Sequence, residues 1–201
     1  MKAPFVILCT GGIGSGKSVV VRLFRELGIP SYDCDLAARD LYGRDQQLLA
    51  DVVRVAGPGI LDAEGRLDRA ALAGRIFADS SLLAAVEALV HPAVIRDFER
   101  WKAAQTAPLV VIESAILLEK PRFAGLADCT VAVSAPEEVR VARVMARDGL
   151  SETEVRRRMA AQWTDEARAA HADFILENND QVALLPAVMM IIEKIKENGK
   201  D

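Results

Sequence analysis

Residues 11–18, Gly-Gly-Ile-Gly-Ser-Gly-Lys-Ser, fit the pattern G-x-x-x-x-G-K-[ST] and follow the apolar run PFVIL. Glycines at this density let a chain turn through positive φ and bring backbone N–H groups against phosphate oxygens with no Cβ in the way. A helix that begins at the lysine adds the positive end of its dipole. Lys17 then supplies a point charge for β and γ phosphates, and Ser18 a hydroxyl ligand for the Mg²⁺ that bridges them. The cradle predicted here runs through Gly12, Ile13, Gly14, Ser15, Gly16, Lys17, Ser18 and Val19, and its expected ligand is a nucleoside triphosphate. A glycine-rich turn before a capped helix accounts for the glycines and for Ser18, but it leaves a cation at a helix start, against the dipole.

Phosphoryl transfer is mostly positioning and charge neutralisation, so an acceptor-side carboxylate and nearby cations are needed. The segment GIPSYDCD carries Asp33 and Asp35 to the carboxyl end of an expected strand. A carboxylate there can orient the attacking hydroxyl and take its proton, while the other caps the following helix. The spacing does not say which does which. Arg140, Arg143 and Arg147 fall at i, i+3 and i+7 and share one helix face, able to close on a triphosphate or to pair with Glu137 and Glu138. His91-Pro92 has no second ligand at metal-binding spacing.

Other triphosphate users leave marks that are missing. Asp62-Ala63-Glu64-Gly65 has the letters D-x-x-G, but the broken run AGPGIL before it makes it a turn. Asn178-Asn179-Asp180 lacks the lysine of a guanine signature. A kinase for a small metabolite is the leading class; a nucleotide-binding switch and a kinase for another nucleotide or alcohol are its rivals.

These residues must be positioned by a sheet. Short apolar runs at 5–9, 29–33, 108–113, 129–133 and 173–177 alternate with amphipathic stretches, which predicts α/β architecture with a parallel five-stranded sheet flanked by helices. Residues 36–107 hold no convincing strand and are expected as a helical, substrate-binding insertion, the core being 1–35, 108–135 and 170–201 and the lid 136–169. Expected helix starts are Asp68, Asp79 with Ser80, a new helix opened by Pro92, a capping box at Ser134 and Glu137, and another at Ser151 and Glu154. Gly149 is the expected helix stop between the last two.

The 201 residues suit one domain with an excursion, and a net charge of −4 offers no basic field for nucleic acid. Cys9, Cys34 and Cys129 lack the spacing of a metal or redox pair and are expected as reduced core residues. The apolar run after Lys2 is too short for a signal peptide, and no later segment reaches the roughly 20 apolar residues of a membrane span. The expected setting is cytoplasmic, with no membrane partner.

Together TGGIGSGKS, DCDLAAR, HPAVIRDF, ESAILLE and RVARVMARD, in that order over nearly the whole chain, resemble the dephospho-CoA kinase family. The resemblance implies a P-loop nucleoside triphosphate hydrolase fold of nucleotide-kinase type. It implies ATP as co-substrate, Mg²⁺, and dephospho-CoA as acceptor through its ribose 3′-hydroxyl; a monomer or weak homo-oligomer is expected. By the same resemblance Asp35 is the catalytic base and Asp33 its support, Lys17, Arg143 and Arg147 serve catalysis at the phosphates, Arg39 and His91 lie on the substrate side, and Asn178 and Asn179 stand near the adenine loop. Three positions depart from the family pattern: Val19 in place of a frequent threonine, Ala115 and Leu118 within SAILLE, and Asp180 where glycine commonly follows the two asparagines. Asp tolerates left-handed backbone better than most residues, so the same turn is expected there.

Overall fold

The computed structural model describes residues 3–120 and 123–198. Five strands, β1 (Phe5–Thr10), β2 (Ser31–Asp33), β3 (Leu109–Glu113), β4 (Cys129–Ser134) and β5 (Phe174–Glu177), form one parallel sheet in the order β2-β3-β1-β4-β5. β1 is central, with Ile7 opposite Val111 on one side and Cys129 on the other. Val110, Val111 and Ile112 are all fully buried, because helices cover both faces and the strand therefore reads as an unbroken apolar run. β2 starts only at Ser31; Pro30 has no N–H for the ladder, although its carbonyl accepts from Val111 at 2.8 Å.

The chain divides into two compact units, one made of residues up to 32 and from 105 on, the other of residues 33–104. In the sheet unit, α1 (Lys17–Glu26) and α9 (Leu184–Asn198) cover one face, burying Val20, Val21, Phe24, Val188 and Ile191 against Ile7, Cys9, Val131 and Val133. Burying such a side chain fully contributes about 1.5–3 kcal/mol. Cys9 and Cys129 belong to this core, and all three cysteines are buried and outside any disulfide.

The same unit carries α6 (Glu137–Asp148), α7 (Glu152–Ala160) and α8 (Asp165–Ala169). Ser151 and Glu154 form the expected capping box, and Gly149 ends α6 at φ 67. The box expected at Ser134 does not form: Ser134 ends β4, and the residue before α6 is Pro136, with no side-chain cap. Glu137 and Glu138 pair with Arg156 of α7 and leave the arginines of their own helix to other partners.

The helical unit contains α2 (Cys34–Arg44), α3 (Gln46–Ala56), α4 (Arg69–Ala78) and α5 (Ser80–Ala103). Asp45 alone separates α2 from α3 and caps the latter through the Leu48 N–H at 2.9 Å. Asp68 and Asp79 cap α4 and α5 as expected. Pro92 does not open a new helix: α5 runs through it, held on both sides by buried Val86, Val90, Val94 and Phe98. Tertiary burial here outweighs the missing backbone bond. Asp62–Gly65 is a turn, with the Gly65 N–H on the Asp62 carbonyl at 3.1 Å. Among the described residues no helix is long and apolar enough to cross a membrane.

Candidate active site

β1 ends at Thr10 and α1 begins at Lys17, so residues 11–16 form the turn between them. Gly14 and Gly16 take φ of 79 and 90, open to glycine at little cost. Close approach adds a second requirement: a Cβ on Gly14 would stand 2.6 Å from the Arg140 carbonyl, and one on Gly16 2.0 Å from Asn178 Nδ2.

Three consecutive carbonyls of this loop are held from outside. Arg140 Nε donates to Ile13 at 3.0 Å, Arg143 Nη1 to Gly14 at 3.3 Å, and Asn178 Nδ2 to Ser15 at 2.9 Å. In a trans peptide the next N–H points the opposite way, so the grips on Ile13 and Ser15 turn the Gly14 and Gly16 donors inward. Those two N–H groups, with those of Lys17 and Ser18 in the first turn of α1, meet no protein acceptor among the described residues. The Ser15 N–H instead closes the loop on the Gly12 carbonyl at 3.1 Å, and the Ser15 hydroxyl is fully buried with no partner among the described residues. Four inward donors at a helix N-terminus beside a lysine make an anion cradle.

Ile13 is tied in three ways. Its N–H donates to Gln162 Oε1 at 2.9 Å, its carbonyl accepts from Arg140, and its side chain packs on Val141, Val144 and Val155. Arg140 is itself buried and pairs with Asp165 at 3.0 Å. Arg168, deeper still, donates to the Trp163 carbonyl at 2.7 Å and pairs with Glu119 at 2.8 Å. Arg140 and Arg168 crowd Gly12, where a Cβ would meet Arg140 Nη2 at 2.2 Å and Arg168 Nη1 at 3.2 Å.

The other expected site residues are placed as follows. Arg143 donates through Nη2 to the Asn178 carbonyl at 3.1 Å, and also reaches Asp180. Arg147 is turned to its neighbour Asp148 at 2.7 Å, and that hydrogen bond holds the Asp148 carboxyl below its usual range. Asp180 takes φ 62, the left-handed turn expected of it. In the helical unit Asp33 caps α2 by accepting from Asp35 and Leu36 at 2.9 Å each. Asp35, in the first turn of α2, is exposed, and its carboxylate has no partner among the described residues. Arg39 lines an open cleft of about 1180 Å³ within this unit, together with Arg44, Arg66 and Arg69. His91 is buried in the middle of α5. Val19 is half exposed one residue beyond Ser18.

Gln162, Asp165, Arg168 and Glu119 were not foreseen as neighbours of the loop. The bonds of Gln162 to Ile13, Arg168 to Glu119 and Glu119 to Trp163 span 149, 49 and 44 residues of sequence, and no local spacing encodes them. Arg140 did carry a signal, as the first of the three arginines on one helix face.

The sheet order and the anion cradle between β1 and α1 define a P-loop kinase. A family model described as dephospho-CoA kinase matches residues 5–183. The dephospho-CoA kinase of Chromobacterium violaceum is 40% identical over 185 residues, which is 92% of this chain and 90% of that protein. The Thermus thermophilus enzyme of the same name is 43% identical over 178 residues, 88% of this chain and 84% of the relative. This chain therefore belongs to the dephospho-CoA kinase family, whose members are ATP-dependent phosphotransferases. A solved Thermus thermophilus protein, TT1252, superposes with a TM-score of 0.83 at 38% identity, covering 98% of both chains. An Acinetobacter baumannii shikimate kinase, at 18% identity and TM-score 0.55 over 100% of this chain and 97% of its own, shares the fold alone.

Proposed function

We propose that this protein transfers the γ-phosphate of ATP to the ribose 3′-hydroxyl of dephospho-CoA, giving ADP and CoA, the final step of coenzyme A synthesis. The observation that carries the reading is the row of unclaimed N–H groups at Gly14, Gly16, Lys17 and Ser18, the first two held inward by grips on the preceding carbonyls and the last two presented by the start of α1. Donors fixed before the ligand arrives need no reorganisation during transfer.

Lys17 balances charge on the β and γ phosphates, and the loop from Gly12 to Val19 holds them. Val19 offers the α-phosphate its backbone only. Asp35 takes the proton of the 3′-hydroxyl as that oxygen bonds the γ-phosphorus. The bond from phosphorus to the bridging oxygen breaks, and ADP leaves with its electron pair. The division between the two aspartates is supported by Asp33 being committed to its helix cap while the Asp35 carboxylate is unengaged. Arg39 and His91 are assigned to the acceptor, Arg39 on the strength of the open cleft it borders, whose lining mixes four arginines with Asp40, Asp62, Glu64 and Asp68. Residues 136–169 are assigned as the lid. Arg143 serves the phosphates from α6, and Arg147 can leave Asp148 for them, since an exposed pair is screened by water and held weakly. Asn179 is assigned to the base.

The residues fit Mg²⁺. The Ser18 side chain is exposed at the start of α1, and no group of three or more His, Cys, Asp or Glu gathers to hold a metal among the described residues. One hydroxyl with phosphate and water oxygens is the donor set that Mg²⁺ favours. When bound, the ion neutralises charge on the β and γ phosphate oxygens. The expected setting is the cytoplasm, with a monomer or weak homo-oligomer that binds neither nucleic acid nor membrane.

ADP release measured across dephospho-CoA, adenosine, nucleoside monophosphates and simple alcohols tests the reading. Turnover is expected with dephospho-CoA far above the others; equal or no turnover with it overturns the assignment.

A further inference from the structure

Asn178 follows β5 directly, and its backbone is fixed there by its N–H on the Ser134 carbonyl at 2.8 Å. Its side chain is only 7% exposed. The amide has its two ends assigned by chemistry. Arg143 can only donate, and its Nη2 lies 3.3 Å from Oδ1, so the oxygen faces the guanidinium and Nδ2 faces the Ser15 carbonyl at 2.9 Å. Nδ2 also sits where a Gly16 Cβ would be, 2.0 Å away, which packs the amide against the outer wall of the phosphate loop. A buried side chain engaged at both ends has little left for an adenine ring.

We infer that Asn178 is a positioning residue of the phosphate loop, holding the Ser15 carbonyl so that the Gly16 N–H faces the phosphates, and is not a contact to the base. The inference rests on the triphosphate reading of the loop. It makes Arg143 a partner in the same device: the arginine orients the amide, the amide orients the Ser15–Gly16 peptide, and the peptide presents the donor. A residue of this kind acts on every ligand that carries the phosphate chain, with or without a base.

Inorganic tripolyphosphate is such a ligand, and its affinity can be compared with that of ATP by calorimetry. Asn178→Asp keeps the acceptor for Arg143 but turns an oxygen toward the Ser15 carbonyl; Asn178→Ala removes both ends. Both variants are expected to weaken ATP and tripolyphosphate by the same factor, about tenfold for one buried hydrogen bond lost. Weakening of ATP alone overturns the inference in favour of a base contact, and unchanged binding of both ligands overturns it outright. The aspartate variant is nearly isosteric and serves if the alanine variant does not fold. As a direct reading, the Gly16 amide resonance is expected to move in ligand-free Asn178→Asp, and an unmoved resonance overturns the inference. Lys17→Ala separates the two levels. If it loses tripolyphosphate while the Asn178 variants do not, only the present inference falls; if it binds tripolyphosphate as the parent does, the triphosphate reading falls with it.

Discussion

Arg168 and Glu119 form an ion pair at 2.8 Å in which their side chains keep 2% and 11% of their exposure. The same Glu119 oxygen accepts the Trp163 N–H at 3.1 Å, and Arg168 holds the Trp163 carbonyl. The pair therefore pins the strip that carries Gln162 and Asp165 to the phosphate loop. Removing one partner of a buried pair leaves a charge without compensation, a cost of about 3–5 kcal/mol. Glu119→Ala is expected to lose stability on that scale in urea unfolding, and a loss below about 1 kcal/mol would show that Asp165 alone satisfies Arg168.

Asp35→Asn keeps the shape of the side chain and removes its basicity. Transfer is expected to fall by about 10²–10⁴, the usual contribution of a general base, with ATP affinity nearly unchanged. Lys17→Ala is expected to damage both. Full turnover in Asp35→Asn would return the choice of base to Asp33, despite its cap.

Val19 is 50% exposed on the first turn of α1, so a change there disturbs no core packing. Val19→Thr keeps the β-branched shape and adds the hydroxyl that the α-phosphate lacks. The KM for ATP is expected to drop about threefold or more, in line with one net hydrogen bond. An unchanged KM would place the α-phosphate beyond that side chain.

Burial, with a smaller push from Glu113, raises the Cys9 thiol to about 12. In an unfolded chain such a thiol ionises near 8.5. Below that pH both states keep the proton. Between roughly 8.5 and 12 only the unfolded chain releases it, so stability falls as pH rises through this window. At pH 10 the loss from Cys9 is on the order of 2 kcal/mol. The fall in urea stability from pH 8 to pH 10 is expected to be shallower in Cys9→Ala, and native protein at pH 8 is expected to resist iodoacetamide at this residue. Equal slopes in parent and variant would count against it.

The sheet was legible because its signals are local. Apolar runs bounded by turn residues place β1, β3, β4 and β5 within a residue or so, and the glycine spacing places the cradle without reference to any other part of the chain. Caps at Asp68, Asp79 and Ser151 were legible for the same reason. Pro92 was misread because burial on both sides of it, which keeps α5 continuous, is invisible in the local sequence. Ser134 was misread because a capping box and the end of a strand share letters. The ties that finish the site, Gln162 to Ile13 and Asn178 to Ser15, join residues 149 and 163 positions apart, where only the folded chain records the pairing.

That separation bears on how the protein is made. Ribosomes deliver the phosphate loop more than 120 residues ahead of Arg140 and Asn178, which turn its donors inward. A nascent chain thus carries the whole motif long before it has a cradle. It is expected to leave the cell's ATP alone until Arg140 and Asn178 have emerged and closed on the loop.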